Sequence, residues 1–525
     1  MATNYRRAIL TRIAVTLFIL SFVMYPAAAQ KSNAPSPAEV ARQVREYRQA
    51  NEHKIISELT ALLAIPNIAT DILNIQRNAA ALVEMLGRRG IATQLLPIPG
   101  RGPVVFGELK APGATRTVIF YAHYDGQPVD PAAWSGTKPF EPALRTSAIE
   151  AGGRLIPFPA PGTPYEDNWR IYARSASDDK SPIVAILAAL DALRAKQIPL
   201  AVNVKFILDG EEEAGSPNLE HTLAAHRDLI AADLLITADG PVHQSGRPMV
   251  FFGNRGVMDV EITVYGPARA LHSGHYGNWA PNPAFNLARL LASMKDADGR
   301  VVIEGFYDDV EPLSDRERQA LAEMPANDAD LMRELLIARP EGGGRKLVEL
   351  INQPSLNVRG LRSAYVGAES QNIIPTQATA SLDLRLVRNI QPARQFERVV
   401  AHIRKQGFCV TSEDPTPAEH LKCPLIAKVT TDRWGYRASR TSMDLPVSRA
   451  VLRVVEEATG GPVVKTPTLG GSAPMYIFEQ WSLPVIGVPM VNHDNNQHAA
   501  NESLRIGNFW RGIEIYAAAI SSLRW

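Results

Sequence analysis

Histidines and carboxylates gather in five short groups along the chain: His123 with Asp125, Asp178 with Asp179, the triplet Glu211, Glu212 and Glu213, then Asp239, and finally His493 with His498. Imidazole and carboxylate donors suit zinc, with cobalt or manganese as alternatives. Two such ions about 3.5–4 Å apart need a bridging carboxylate, and they lower the pKa of a water until it attacks at neutral pH. A carboxylate that binds neither ion must then take the proton from that water and pass it to the leaving amine. Adjacent glutamates can divide this labour, one on metal and one on water. Each group alone has an ordinary explanation. An Asp after a strand serves as a turn residue or helix cap, an acidic triplet as a favourable first helical turn, and a lone His as surface or core. The ordered set is what points to metal-assisted hydrolysis.

The groups share a placement. His123 and Asp125 follow the apolar run Thr117–Ala122, a buried strand by composition. The acidic triplet follows a similar run at Val202–Leu208, and Asp239 follows Leu234–Ala238. His493 and His498 follow Val485–Val491, whose second half Pro489 weakens as a strand. Asp178 and Asp179 precede a helix expected over Ile183–Arg194, with Ser181 as its cap and Pro182 in its first turn. Ligands in open α/β sheets bind beyond the carboxyl ends of strands, so these side chains should gather on one rim. Helical apolar spacing also marks Ile55–Ile65 and Ile75–Leu86, with Gly90 able to end the second. Residues 30–50 are polar and read as a leader into the first helix. Strands alternating with helices predict an α/β domain with a largely parallel sheet.

From about residue 253 the pattern changes. Val257–Val264 and Ala378–Leu386 alternate with period two, as half-solvated antiparallel strands do. A helical segment, Pro283–Met294, lies between them. Residues 296–350 are charged, include Gly342, Gly343 and Gly344, and read as a surface insertion. The α/β pattern resumes near residue 440 with a helix over Val447–Ala458. An α+β domain inserted into the first is the expected architecture.

A chain of 525 residues is too long for one ordinary core. Its 55 basic and 54 acidic residues give a net charge of +1, so no global field favours nucleic acid or an acidic membrane surface. The first residues differ. Arg6, Arg7 and Arg12 precede the apolar run Ile13–Met24, and Ala27, Ala28 and Ala29 precede Gln30. This reads as a signal peptide, residues 1–29, cut after Ala29, with an uncleaved anchor as the alternative. After cleavage no stable membrane span is expected, which places the protein in the periplasm or outside the cell. Export permits a disulfide between Cys409 and Cys423, and two unpaired thiols are the other reading.

The chain resembles the zinc-dependent peptidase family of carnosine dipeptidases, aminoacylase, bacterial glutamate carboxypeptidase and succinyl-diaminopimelate desuccinylase. The motifs that carry the resemblance are AHYDGQP at 122–128, SASDDKSP at 175–182, DGEEEAGS at 209–216, ADG at 238–240, LHSGHYG at 271–277, QNIIP at 371–375, GGSAP at 470–474 and HAANE at 498–502. Residues 303–317 look like the longer, dipeptidase-type branch.

The resemblance implies two zinc ions per subunit. His123 and Asp239 would bind one and Glu213 and His498 the other, while Asp178 bridges both across an Asp178–Asp179 peptide expected to be cis. Asp125 would orient His123. Glu212 becomes the general base and Glu211 a bystander. His498 matches the family's terminal ligand better than His493, because Asn501 and Glu502 follow it. His272 matches the histidine that stabilises the oxyanion, in many relatives from across a dimer. Arg385 matches the arginine that holds the substrate carboxylate; a solvated mid-strand residue is its plainer explanation. Asn372, Gly471 and Ser472 match further substrate contacts. The implied division is a catalytic domain over 30–252 and 440–525, with a lid and dimerisation domain over 253–439. Leu469 stands where many relatives carry Glu, which weakens transfer of an exact substrate. The expected reaction is hydrolysis of a short peptide near a free carboxylate. The rivals are hydrolysis of an N-acyl amino acid on the same scaffold, and metal or peptide binding without catalysis.

Overall fold

The computed structural model describes residues 35–431 and 435–525. The expected signal peptide lies outside these residues. Among those described, no helix is long and apolar enough to cross a membrane.

An eight-stranded mixed sheet forms the larger core. Its centre is parallel: Asn203–Asp209, Thr117–His123, Leu234–Thr237 and Val485–Gly487 lie side by side in that order. Antiparallel strands Ala92–Leu96 and Val104–Leu109 flank one side. Met249–Phe251 and Val464–Thr466 flank the other. Successive residues of a strand point to opposite faces, and here both faces are covered. Val118, Phe120 and Ala122 pack under helices Pro37–Leu63, Lys180–Ala195, Pro446–Thr459 and Ile506–Ser522. Ile119 and Tyr121 pack on the other side with Leu219, Leu223 and Phe478. The strand after Val485 stops at Gly487, before Pro489, whose missing N–H cannot extend the ladder.

A second sheet of five strands runs Ser355–Arg362, Gln377–Leu386, Gly256–Tyr265, Ile426–Thr430, Cys409–Thr411. Helices Pro283–Ala292 and Pro392–Lys405 back it, and strand positions alternate between buried and half-exposed, as the period-two reading expects. Cys409 and Cys423 form a disulfide.

Three expectations are corrected. The first helix begins at Pro37, so most of the supposed leader is helical. Ser36 caps it, and Val40, Ala41, Val44, Arg48 and Glu52 form its buried stripe. Polar side chains hid that stripe: Arg48 pairs with Glu52 at 2.6 Å and Arg45 with Glu514 at 2.7 Å. Second, Ser181 does not cap its helix. The helix starts at Lys180 with Asp179 at the cap position, which leaves Ser181 inside the first turn, its buried hydroxyl without a hydrogen-bond partner among the described residues. Third, residues 296–350 are more than a surface insertion. Val301, Ile303 and Phe306 join the core of the second sheet, and Leu321 and Met324 pack against Met249, Phe251 and Val464 of the first.

Candidate metal centre

The four central strands and the segments that follow them deliver His123, Glu213, Asp239 and His498 to one place, and Asp178 joins them from just before the helix Lys180–Ala195. His123 is the last residue of its strand, and Asp239 lies two residues beyond Thr237. His123, Asp178 and Asp239 bring donor atoms within 4.8 Å of one another, and so do Asp178, Glu213 and His498. The two groups share Asp178. Its Oδ1 lies 2.8 Å from His123 Nε2 and its Oδ2 lies 3.0 Å from His498 Nε2. Glu213 Oε2 is 3.3 Å from the same His498 nitrogen. The Asp178–Asp179 peptide is cis, as expected.

The donor set fits two divalent cations. Imidazole nitrogen and carboxylate oxygen are zinc donors, and one carboxylate stands between the groups as a bridge requires. The charge balance agrees. Burial, reinforced by Asp178, pushes Glu213 up to about 8, and burial with Asp178 pushes Asp239 up to about 6. Burial also pushes Glu212 well above the usual carboxylate range, with His123 opposing. Carboxylates crowded out of water are held ionised by counter-charge, which such cations provide.

The surrounding residues fix this arrangement. The fully buried Asp125 carboxylate accepts the backbone N–H of Glu212 and of Glu213, each at 3.0 Å, and its Oδ1 lies 3.4 Å from His123 Nδ1. Gly215, at φ +84°, closes the tight turn after the two glutamates. Gln127 Nε2 donates to Glu213 at 2.7 Å, and Gln497 Nε2 donates to Asp178 at 3.2 Å. Gly126 leaves no space for a side chain, since a Cβ there would stand 2.5 Å from Ser175 Oγ.

Glu502 makes the most connections of these. Buried completely, it accepts from Arg174 at 2.7 Å and from the backbone N–H of Ser175, Ser177 and Asp178 at 2.9, 2.8 and 3.0 Å. Sequence reasoning used Glu502 only to recognise His498, and overlooked Gln127 and Gln497 although both lie in or beside quoted motifs. Polarity alone does not separate a residue that orients a ligand from a solvated one.

The remaining predicted residues divide. Glu212 sits beside the donor groups without belonging to either, and Glu211 turns away to accept from Asn218 at 3.0 Å. His493 joins neither group. Arg385 donates Nη1–H to Ser472 at 2.8 Å and Nε–H to Asp383 at 3.1 Å, so it is tethered rather than merely solvated. The Gly471 carbonyl accepts the Arg255 N–H at 3.2 Å. His272 and Asn372 lie together: strand Leu271–His272 pairs with Ile373–Ile374, and Ser273 N–H donates to Asn372 at 3.0 Å. His272 is exposed, its ring 4.4 Å from that of His275, and it belongs to neither donor group.

Comparison with known proteins places this geometry. The model of peptidase family M20/M25/M40 matches residues 119–522. A Beta-Ala-His dipeptidase of Homo sapiens is 24% identical and a Cys-Gly metallodipeptidase of Schizosaccharomyces pombe 25%; the alignments cover 97% of both chains in the first case and 83% of this chain and 86% of the relative in the second. The crystal structure of an M20 family metallo-carboxypeptidase from Sulfolobus solfataricus superposes with a TM-score of 0.72 at 29% identity, over 89% of this chain and 98% of the other.

Proposed function

The chain belongs to peptidase family M20/M25/M40 and is a metal-dependent hydrolase, and from that premise we propose that it is an exported two-zinc dipeptidase. The observation that carries the reading is the pair of donor groups sharing Asp178, with the unshared acid Glu212 beside them. His123, Asp178 and Asp239 would hold one ion, and Asp178, Glu213 and His498 the other. Zinc bound there supplies Lewis-acid polarisation of the scissile carbonyl and acidifies water.

The chain's own residues do the rest. Glu212 takes the proton of the attacking water as the new C–O bond forms. It delivers that proton to the nitrogen as the C–N bond breaks, which releases a free carboxylate and a free amine. Asp125 holds the Glu212–Glu213 backbone and the His123 ring in register. Arg385, tethered to Ser472, receives the substrate carboxylate, with Gly471 as a further contact, and Asn372 of the partner subunit, which neighbours His272 on its own chain, as another. His272 of a partner subunit stabilises the oxyanion.

That last role requires a homodimer, and two features of the inserted region support one. Ser355–Arg362 is an edge strand whose residues from Asn357 onward are exposed, and Trp279, Phe285, Leu361 and Val366 present apolar surface in the same inserted region. The Cys409–Cys423 disulfide supports an oxidising compartment. The deciding assay follows release of free amino acid from dipeptides and from N-acetyl amino acids by the zinc-loaded protein. Cleavage of dipeptides is expected. Cleavage confined to N-acetyl substrates would favour the acylase rival, and cleavage of neither would overturn the reading.

A further inference from the structure

A cavity of about 300 Å³ has walls that include Met249, Leu321, Met324, Ile351 and Leu469. Pro241, Val242 and His243, which directly follow the ADG turn, line it too. Leu469 reaches the turn itself: its Cδ2 lies 3.2 Å from where a Cβ of Gly240 would stand. The cavity also meets a second one of about 620 Å³, since His493 and Glu334 line both. Gln497 lines the second cavity and donates to Asp178, the residue common to both donor groups. Neighbours of two donor residues thus adjoin the apolar cavity: the turn after Asp239 forms part of its wall, and Gln497, bonded to Asp178, lines the cavity next to it.

Resting on the hydrolytic reading above, we infer that this cavity receives an apolar group on the acyl side of the scissile bond, so that the substrates are dipeptides or acyl amino acids with a bulky aliphatic or aromatic acyl portion. The carboxylate end of the substrate is committed elsewhere, to Arg385 and Ser472, and the group nearest the metal ligands belongs to the acyl carbon. The walls decide the chemistry. Apart from two histidines, the charged residue among those that line the cavity is Glu334, which is exposed at the junction of the two cavities. A charged side chain entering here would lose its hydration against walls whose other polar groups are the neutral Gln244, Thr466 and Thr468, whereas an aliphatic or aromatic one would bury apolar surface against Met249, Leu321, Met324 and Ile351. The helices Asp315–Glu323 and Leu347–Ile351 supply much of that wall, which gives the segment between the strands of the second sheet a role in selectivity.

The test compares kcat/KM of the zinc-loaded protein for Gly-Gly, Leu-Gly, Phe-Gly, Asp-Gly and Lys-Gly, for 4-methylpentanoyl-glycine (Leu-Gly without its amine), and for Gly-Leu and Gly-Phe. Leu-Gly and Phe-Gly should exceed Gly-Gly by about 10–200-fold. Equal use of the amine-free analogue assigns the cavity to any apolar acyl group, and its rejection assigns the cavity to an amino-acid side chain; either supports the inference. Leu469→Glu should lower Leu-Gly cleavage relative to Lys-Gly by at least about tenfold while zinc content stays unchanged. Calorimetric titration of the same peptides into zinc-loaded Glu212→Gln reads the cavity without turnover, so it separates a wrong cavity from a wrong reaction. A flat series in both rate and binding, or discrimination confined to Gly-Leu and Gly-Phe, would overturn the inference.

Discussion

The carboxylate of Asp125 accepts the backbone N–H of Glu212 at 3.0 Å, so the residue that steadies His123 also sets the position of the proposed base. Its other oxygen does the same for Glu213. Asp125→Asn replaces one acceptor by a donor that faces an N–H. Activity and zinc affinity should each fall by about 10–100-fold. Metal analysis beside dipeptide hydrolysis checks this, and loss of activity at full zinc affinity would confine Asp125 to the base.

Glu212→Gln keeps the shape and removes the proton acceptor. Both zinc ions should remain, and kcat should fall by about 10²–10⁴. Near-normal turnover would sink the assignment of the base.

Glu502→Gln leaves Arg174 buried without its counter-charge and weakens three hydrogen bonds from backbone N–H groups. Breaking one partner of a buried pair costs about 3–5 kcal/mol. Denaturant unfolding should show a loss of that order, with zinc affinity reduced because Asp178 hangs on one of the bonds.

Chelation should make stability depend on pH. Burial raises Glu213 to about 8 and Asp239 to about 6, so the folded metal-free chain binds protons there that the unfolded chain has released, and stability falls as pH rises from the ordinary carboxylate range through those values. The hydrogen bond to Asp178 raises His498 to about 9; its contribution is full below the ordinary imidazole pKa and is lost as pH rises through 9. All three act in the same direction. The chelated protein should melt at a lower temperature at pH 9 than at pH 6. Zinc binding near neutrality should release protons, measurable by calorimetry in buffers of different ionisation enthalpy.

Mixing two inactive variants tests the shared site. His272→Ala and Glu212→Gln, refolded together, should regain about a quarter of wild-type activity if each centre borrows His272 from its partner, because half the dimers then carry one complete centre. No recovery, with mixed dimers demonstrated, would return His272 to its own subunit or to no role.

Much of the centre could be read from residue order. Parallel strands put their carboxyl ends on one edge, so acids after 123, 208 and 238 had to meet once those strands were recognised. Residues that act through the backbone were not legible. Glu502 carries no mark that separates it from a surface glutamate, and its four partners lie more than 300 positions away in the chain. The first helix was misjudged for a related reason. Arg48 and Glu52 belong to its buried stripe because they neutralise each other, and pairing is invisible in a polar string. The cap was misplaced because Asp179 and Ser181 are both plausible by type, and the fold chose between them.

The bonds from Glu502 to Ser175, Ser177 and Asp178 also have a meaning in time. The bridging acid is made early and its supports late, so a nascent chain carries no finished centre until synthesis has passed residue 502. For a chain exported as proposed, and threaded across a membrane before synthesis ends, that order would keep hydrolytic power and bound metal out of the compartment where the chain is made.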